Sequence, residues 1–315
     1  MKIIFFCPPT SVVNGGIKHI FRMAEALIAQ GREAVVFEQN ASRPTWFVST
    51  APIVGQGGLT IGADHIYVLP EDQPHILADF ARLPGRKVVY SQNHFYGALG
   101  IAKAESFADY GVTDILCSSR TIYDHCRLRH KDVRAHVVPC AVDPALFKPA
   151  ERKDDIIVFM PRKRPIEAVY IRDMFRFSHP PLRDWAWQEI ANVSEAEVAA
   201  QMGKARVFLS LSRLEGFGLT PLEAMASGCV VAGFTGIGGR EYASPENGFW
   251  AGEDDFPACI QSLAKAVEFA SASGAALEKH QLSCRQTLFA YTPEAFQKVV
   301  KDAWEIIVGL SEDQK

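Results

Sequence analysis

The chain has 315 residues, of which 48% are hydrophobic and 22% charged, and its formal net charge is −3. This composition is typical of a globular protein and excludes a disordered or fibrous chain. The small net charge gives no general attraction to nucleic acid, so no nucleic-acid partner is expected and any anion site must be local. At about 100 to 200 residues per domain, the length favours two domains, each able to bury its own core.

The first residues and the cysteines indicate a compartment. The apolar run of MKIIFFCPP ends at Pro8, which is too short for the core of a secretory signal. No run reaches the ~20 apolar residues of a membrane span. The seven cysteines form no CxxC pair, which favours free buried thiols over disulfides or a zinc site. We therefore expect a cytoplasmic protein without a bound metal.

Short β-rich runs alternate with helical periodicity along the first half of the chain. Strands are predicted at KIIFFCP, REAVVFE, ADHIYVLPE, KVVYSQN, TDILCSS and AHVVPC. A helix is predicted over 17–30, with Gly31 as its stop. Strands that alternate with helices through right-handed crossovers build a parallel, doubly wound sheet.

A charged, proline-containing linker is predicted at 148–155, and a second α/β run follows it. The predicted architecture is α/β, with two Rossmann-like domains at 1–149 and 150–315 that face each other across a cleft. Such a cleft is the commonest place for a small-molecule site. A last helix is predicted over roughly 294–308, and it can pack back on the first domain.

The stretch 207–242 has the pattern most typical of a ligand site. A strand at 207–212 leads into a glycine-containing turn and a short helix, for which Thr220 is the predicted N-cap and Gly228 the predicted end. Free amides at this turn, together with the positive end of the helix dipole, favour phosphate. Open α/β sheets bind ligands at the carboxyl ends of their strands, so this stretch predicts an anion site.

Two carboxylates, Glu215 and Glu223, flank that predicted anion site. Carboxylates are good acceptors for hydroxyls, so a sugar and a ribose at the two ends of a diphosphate would use one each. A structural alternative exists for both residues. Thr220 and Glu223 have the spacing of a capping box, and Glu215 can be a solvated loop carboxylate.

A longer pattern, S-x-x-EGFGL-x-x-LEAMA-x-G-x-x-V with E-x7-E inside it, resembles the retaining glycosyltransferases of family 4 (glycosyl transferases group 1), which have the GT-B fold. The segments NGGIKHIFRMAEALIAQGREAVVF, VTDILCSSRTIYDHC, VVPCAVDPALFKP and GGREYASPENGFW resemble the same family in the same order. The chain departs from the family at Ala141, where glycine is usual. It also has fewer residues before RVFLSLS, so a strand–helix unit of the second domain is expected to be missing or trimmed.

The resemblance implies a donor site in the second domain. Glu223 would hold the ribose, and Glu215 would contact the hydroxyls of the donor sugar. The backbone amides implied at the sugar and phosphates belong to Phe217, Gly218, Leu219 and Thr220. Gly15 and Gly16, in the loop after the first strand, would approach the diphosphate, although they also suit a turn that simply opens a helix.

The resemblance also implies charged and catalytic groups. His94 would lie near the reacting sugar, and Arg162 and Lys163 would neutralise the diphosphate, whose charge grows in the transition state. Arg162 aligns with the family arginine, whereas the family lysine comes several residues later and is absent here. The implied catalytic set is His94, Glu215 and Arg162. A structural histidine and a solvated basic turn are the alternatives.

The implied reaction moves a sugar from a nucleotide-diphosphate sugar to an acceptor with retention of configuration, without a cofactor or metal. The nucleotide-sugar is a substrate, and the acceptor would be a glycan, a lipid-linked glycan or a small molecule. Alternatives on the same fold are a sugar-nucleotide epimerase or hydrolase and a non-catalytic nucleotide-sugar binding protein. An NAD enzyme is rejected, because the glycines of GFTGIGGRE do not follow G-x-G-x-x-G. The basic segment 121–134 is a solvated helix face or, alternatively, a peripheral contact with the inner face of a membrane.

Overall fold

The computed structural model of this chain describes residues 1–101, 105–272 and 274–309. The chain divides into two compact units, one formed by Met1–Cys140 with the segment from Glu294 onward, the other by Ala141–Pro293. The division falls a few residues before the limit predicted at 149 and 150. The connecting segment is bound to the second unit, because Val142 N–H donates to Tyr291 O at 2.8 Å and Ala150 N–H to Gly203 O at 3.0 Å.

The first unit contains a seven-stranded sheet in which every neighbouring pair is parallel. The strands are β1 (Lys2–Phe6), β2 (Glu33–Phe37), β3 (Ile53–Val54), β4 (Ile66–Pro70), β5 (Arg86–Ser91), β6 (Val112–Cys117) and β7 (Arg134–Val137), in the order β3-β2-β1-β4-β5-β6-β7. The six predicted strands are present, and they read as continuous apolar runs because helices cover such a sheet on both faces. The additional β3 has two residues, too few to show a periodic pattern.

Helices of the first unit are α1 (Gly15–Ala29), α2 (Pro74–Ala81), α3 (Gly97–Gly100), α4 (Arg120–Arg129) and a C-terminal helix (Pro293–Gly309). The Asn14 side chain caps α1 by accepting from Gly16 N–H at 2.9 Å. The helix ends before Gly31, whose φ of 79° confirms the predicted stop. The C-terminal helix packs on this unit, where the Trp304 and Phe5 rings lie 6.1 Å apart.

The second unit contains a five-stranded parallel sheet in the order β12-β11-β10-β8-β9. Its elements are β8 (Asp154–Phe159), α5 (Pro165–Ser178), β9 (Ala186–Glu189), α6 (Glu195–Lys204), β10 (Ala205–Ser212), α7 (Leu219–Ala226), β11 (Val230–Thr235), β12 (Phe249–Ala251), α8 (Phe256–Ser271) and α9 (Ala275–Leu288). A strand–helix unit, β9 with α6, lies between α5 and β10, and its strand was not among the predicted ones. The strand was not recognised because it is only four residues long and lies at the sheet edge, where its side chains are half-exposed.

The cysteines and the lengths of the helices give two further observations. All seven cysteines are free thiols, and six of them are buried as small apolar side chains. Among the described helices, none combines the length and the apolar character required to cross a bilayer.

The position of β10 between β8 and β11 determines where the candidate site forms. Parallel neighbouring strands end at the same edge of the sheet, so the loops that follow these three strands come together there.

Candidate active site

Three loops of the second unit meet at the carboxyl edge of its sheet, after β8, β10 and β11. Glu215, in the loop after β10, joins the three. Its Oε1 lies 2.8 Å from Nζ of Lys163, which follows β8. Its backbone oxygen accepts from the N–H of Gly238, which follows β11, at 3.0 Å. The structure thus brings the predicted residues Glu215 and Lys163 into direct contact, although they lie 52 positions apart in the sequence and neither local pattern indicates the pairing.

The turn before α7 depends on one glycine. Gly218 has φ 83° and ψ 67°, the left-handed region that disfavours residues with a Cβ. The hydroxyl of Tyr242 donates to Gly218 O and fixes this conformation. Tyr242 is itself buried, with its ring 6.0 Å from the rings of both Phe217 and Tyr291. The backbone that opens the helix is therefore held in place by a side chain more than twenty positions away.

The predicted N-cap at Thr220 is wrong. The helix begins at Leu219, and Gly218 occupies the cap position. The left-handed glycine turns the chain into the helix earlier than the Thr220–Pro221 signal indicated. The predicted end at Gly228 is confirmed, because Ser227 is the C-cap and Gly228 follows with φ 72°.

This correction bears on Glu223. A capping box joins the N-cap to the third helical residue, whereas Glu223 is the fifth residue of a helix that begins at Leu219. The capping-box alternative for Glu223 is therefore removed. The residue is only 7% exposed, and a buried carboxylate is expensive to keep without a functional or structural reason.

Glu215 and Glu223 lie around the same buried ring. Burial raises the pKa of Tyr242 well above its usual value, and the nearby charges of Glu215 and Glu223 raise it further. The two predicted carboxylates are therefore both near Tyr242, whose hydroxyl binds the turn at Gly218 O. The first N–H groups of a helix have no acceptor within that helix, so those of Leu219 and Thr220 suit phosphate or hydroxyl oxygens.

The basic turn Arg162–Arg164 has three different environments. Arg162 is exposed and, within the described ranges, makes no ion pair. Lys163 is held by Glu215. Arg164 is 0% exposed, pairs with Glu253 and Asp254, and places its guanidinium carbon 4.4 Å from the Phe234 ring centre. Arg162 and Lys163 are therefore accessible to an anion, whereas Arg164 is a structural cation of the sheet edge.

The two predicted glycines of the first unit differ. A Cβ on Gly16 would overlap Oε1 of Gln92, whereas a Cβ on Gly15 would meet open space. The Gln92 side chain also donates to Gly16 O at 3.1 Å. Gly16 therefore contacts Gln92 where the loop after β1 meets the loop after β5, and a side chain on Gly16 would displace the flexible Gln92 side chain, whereas Gly15 leaves room for a ligand.

His94 lies in the loop after β5. Its ring is half-buried, 4.2 Å from the Phe95 ring and 5.5 Å from the His125 ring. Burial, and then the charge of His125, lower its pKa from 6.5, so the ring is neutral near pH 7. Its buried Nδ1 has no hydrogen-bond partner in the described structure. The resemblance placed this histidine after the fourth strand, and the structure places it after the fifth because β3 intervenes.

Two residues that organise these loops were missed from the sequence. Tyr242 fixes Gly218, and Glu71 binds the loop that precedes His94. Glu71 is the last residue of the predicted strand ADHIYVLPE, and a carboxylate at that end was a usable signal, since such positions face the ligand edge of the sheet. No local pattern indicated Tyr242. Among residues 1–101, 105–272 and 274–309, no group of three His, Cys, Asp or Glu side chains could hold a metal ion.

Comparisons with known proteins agree with this geometry. The family model described as Glycosyl transferases group 1 matches residues 188–280, which include β10, the turn and α7. The chain is also 28% identical over 231 residues to an alpha-1,6-glucosyltransferase of Actinobacillus pleuropneumoniae serotype 7 (strain AP76), a match that covers 70% of this chain and 69% of the relative.

Solved structures give the fold. The sucrose-phosphate synthase of Thermosynechococcus elongatus superposes with a TM-score of 0.71 at 14% identity, covering 98% of this chain and all of the other. Anabaena Alr3699/HepE, solved in complex with UDP and glucose, has a TM-score of 0.67 at 12% identity and covers 97% of this chain and 99% of the other. Two parallel-sheet α/β units with these neighbours establish a GT-B fold, and the comparisons together support a glycosyltransferase.

Proposed function

We propose that this chain transfers a glycosyl group from a nucleoside diphosphate sugar to an acceptor hydroxyl, with retention of configuration. The observation that carries the proposal is the meeting of Lys163, Glu215 and the amide-rich start of α7 at one edge of the second unit. These groups offer a cation, a hydroxyl acceptor and free amides, which are the partners that a sugar diphosphate requires.

Each predicted residue has a role in this proposal. Glu223 accepts from the ribose hydroxyls, and Glu215 from the hydroxyls of the donor sugar. The diphosphate lies against the amides of the turn and the first residues of α7, with Lys163 as a second source of positive charge. Because Lys163 already contacts Glu215, the incoming diphosphate competes with that carboxylate for the ammonium group. The backbone donors belong to Phe217, Gly218, Leu219 and Thr220.

The proposed chemistry is a substitution at the anomeric carbon. The bond to the phosphate oxygen breaks with its electron pair, and the acceptor oxygen forms the new bond on the same face. The acceptor proton passes to the departing phosphate oxygen, so the protein supplies no strong base. Arg162 stabilises the charge that grows on the diphosphate, where a fixed cation acts most strongly. In the first unit, neutral His94 hydrogen-bonds the sugar, and Gly15 with Gly16 admits the phosphates.

We infer that UDP-glucose is the first donor to test. The Anabaena neighbour was solved with UDP and glucose, and the curated relative is described as a glucosyltransferase. The acceptor class is a glycan, a lipid-linked glycan or a small molecule in the cytoplasm. We propose that the reaction needs no cofactor and no metal, with the nucleotide-sugar as substrate.

A second function has one observation in its favour. The Lys163 ammonium is held by Glu215 rather than left open to a phosphate. A protein that binds a nucleotide-sugar without turning it over would tolerate such an arrangement. It would share the donor site and differ only in the absence of transfer.

Calorimetric titration with UDP, GDP, ADP and dTDP tests the proposal. We expect one nucleotide to bind wild type and to bind Glu223→Ala at least about tenfold more weakly, since a charge-assisted hydrogen bond contributes about 1.5–3 kcal/mol. Glu268→Ala, which removes an exposed carboxylate on α8, is the matched control and should bind as wild type. Binding of none of the four nucleotides would overturn the proposal.

The donor sugar of the selected nucleotide is then incubated with acceptor mixtures, and the anomeric configuration of the product is read by NMR. A product with the donor's configuration supports retention, and an inverted product contradicts it. Nucleotide binding without transfer to any acceptor, and without donor hydrolysis, would favour the non-catalytic binding protein.

A further inference from the structure

Glu71 follows β4 and binds three consecutive residues of a neighbouring loop. Its Oε1 accepts from the N–H of Gln92 at 2.9 Å and of Asn93 at 2.7 Å, and its Oε2 accepts from the Ser91 hydroxyl. Glu71 is only 4% exposed. A single buried carboxyl group therefore fixes the backbone where β5 ends and the loop of the first unit begins.

This loop carries both first-unit features of the proposed function. The side chain of Gln92 donates to Gly16 O, at the turn that opens α1. His94 directly follows Asn93, whose amide is bound to Glu71. A displacement of this backbone would therefore move His94 and the Gly16 turn together.

We propose that Glu71 is a positioning residue for His94 and Gly16 in glycosyl transfer. It touches neither donor nor acceptor and acts through the Ser91–Asn93 backbone. This inference rests on the proposed function, because His94 has a role only if the chain transfers a sugar. The geometry of the three hydrogen bonds is independent of that function.

The same hydrogen bonds indicate which protonation state of the Glu71 carboxyl group holds the Ser91–Asn93 backbone. Burial raises the pKa of Glu71 to about 8, against the effect of its three donors. Among the described residues, the titratable groups that interact with it are Tyr90 on β5, Cys117 on β6 and Cys126 on α4, and none of these is a cation. Both backbone amides bind Oε1, so a proton on Oε2 can donate to Ser91 Oγ without disturbing them.

The neutral carboxyl thus satisfies the whole loop. Above that pKa the buried charge has no cation among these neighbours, and we expect hydration of the carboxylate to displace the loop. We expect the kcat of wild type to fall as the pH rises through about 8, and the donor KM to change less than kcat, because only the Gly15–Gly16 turn of the proposed donor site lies in the first unit.

Three variants test the inference. E71Q retains the shape, with its amide oxygen in place of Oε1 and its NH2 group donating to Ser91 Oγ. We expect it to keep a kcat within about twofold of wild type at neutral pH and to lack the fall near pH 8. E71L removes every acceptor and should lower kcat on the order of a hundredfold, the effect of a misplacement near 1 Å.

E38Q is the matched control. Glu38 follows β2, is 2% exposed, and accepts from the amides of Asn40 at 3.1 Å and Ser42 at 2.7 Å in a different loop. Its pH profile of kcat should match that of wild type. Because E71L can fail to fold, the comparison of E71Q with wild type and E38Q decides the outcome.

An activity-independent measurement separates this inference from the proposed function. We expect the ring signals of His94 in wild type to show a second NMR titration step near pH 8 that is lost in E71Q. If wild type shows no such titration step, or if E71Q still shows it, the proposed role of Glu71 is overturned. The role of Glu71 is also overturned if the kcat of E71Q still falls as the pH rises through about 8. A wild type that binds no nucleotide but shows the histidine step overturns the transfer function alone.

Discussion

Lys163 Nζ lies 2.8 Å from Glu215 Oε1, across two loops that follow adjacent parallel strands. Both side chains are about a quarter exposed, so the ion pair is partly shielded from water, and a ligand can still reach both groups. In the proposed function each partner has a second ligand, the diphosphate for Lys163 and a sugar hydroxyl for Glu215. The ion pair therefore pre-positions the two groups before the donor arrives.

Replacement of Lys163 by Met should weaken nucleotide diphosphate binding about tenfold, because it removes one charge-assisted contact. The effect should shrink as salt is raised, since the lost contribution is electrostatic. Calorimetry at two ionic strengths measures both. Lys265→Met, on the exposed face of α8, is the control that should bind as wild type. Equal affinity of Lys163→Met and wild type would contradict a contact with phosphate.

Tyr242→Phe tests the turn before α7. The variant keeps the buried ring and removes the hydroxyl that holds Gly218 O, so we expect unfolding to become easier by about 1 kcal/mol. Nucleotide affinity should fall more than that of Tyr291→Phe, which removes a hydroxyl from the same aromatic cluster. Chemical denaturation and calorimetry on the two variants give the comparison. Identical affinities would show that the Gly218 turn does not depend on Tyr242.

Substitutions of Arg162 and Arg164 should have different effects, one on activity and the other on stability. Arg164 is fully buried and pairs with Glu253 and Asp254, whose side chains are partly exposed, so its replacement removes both ion pairs and the contact with the Phe234 ring. Arg164→Met should therefore lower Tm strongly. Arg162→Met should leave Tm unchanged and lower kcat, because the side chain is exposed. Thermal melts and transfer rates check both, and a large fall in Tm for Arg162→Met would refute its assignment to the ligand.

His19 should make the first unit less stable in acid. Its two ring nitrogens are buried without a hydrogen-bond partner in the described structure, and burial, then Lys18 and Arg22, lower its pKa well below 6.5. The unfolded chain therefore binds a proton that the folded chain does not, and stability falls as the pH drops below about 6.5.

Titration of His19 alone changes the free energy of unfolding by at most about 1.4 kcal/mol per pH unit. Urea unfolding of wild type and His19→Leu at pH 8 and pH 5 measures it. The variant should lose less stability between these two conditions than wild type does. A parallel loss in both proteins would mean that His19 does not titrate on unfolding.

The comparison of sequence and structure shows where local patterns are sufficient. The strand β10, the glycine turn and the end of α7 at Gly228 were all indicated by residues within a few positions of one another. The start of α7 was placed too late, because Thr220 and Pro221 are strong local signals. The conformation of Gly218 depends on a hydrogen bond from Tyr242, which no local pattern contains.

Local patterns in the sequence were sufficient to predict the two parallel α/β sheets and to mark Glu215 and Glu223 beside the β10–α7 turn as candidate site residues. Those features follow from periodicity, glycine positions and helix signals, which act over a few residues. Only the tertiary structure decided that Lys163 pairs with Glu215, that Arg164 is structural, and that Glu71 binds Ser91, Gln92 and Asn93. The physical reason is that these contacts join loops brought together by strand order, and strand order is fixed by how the whole sheet packs.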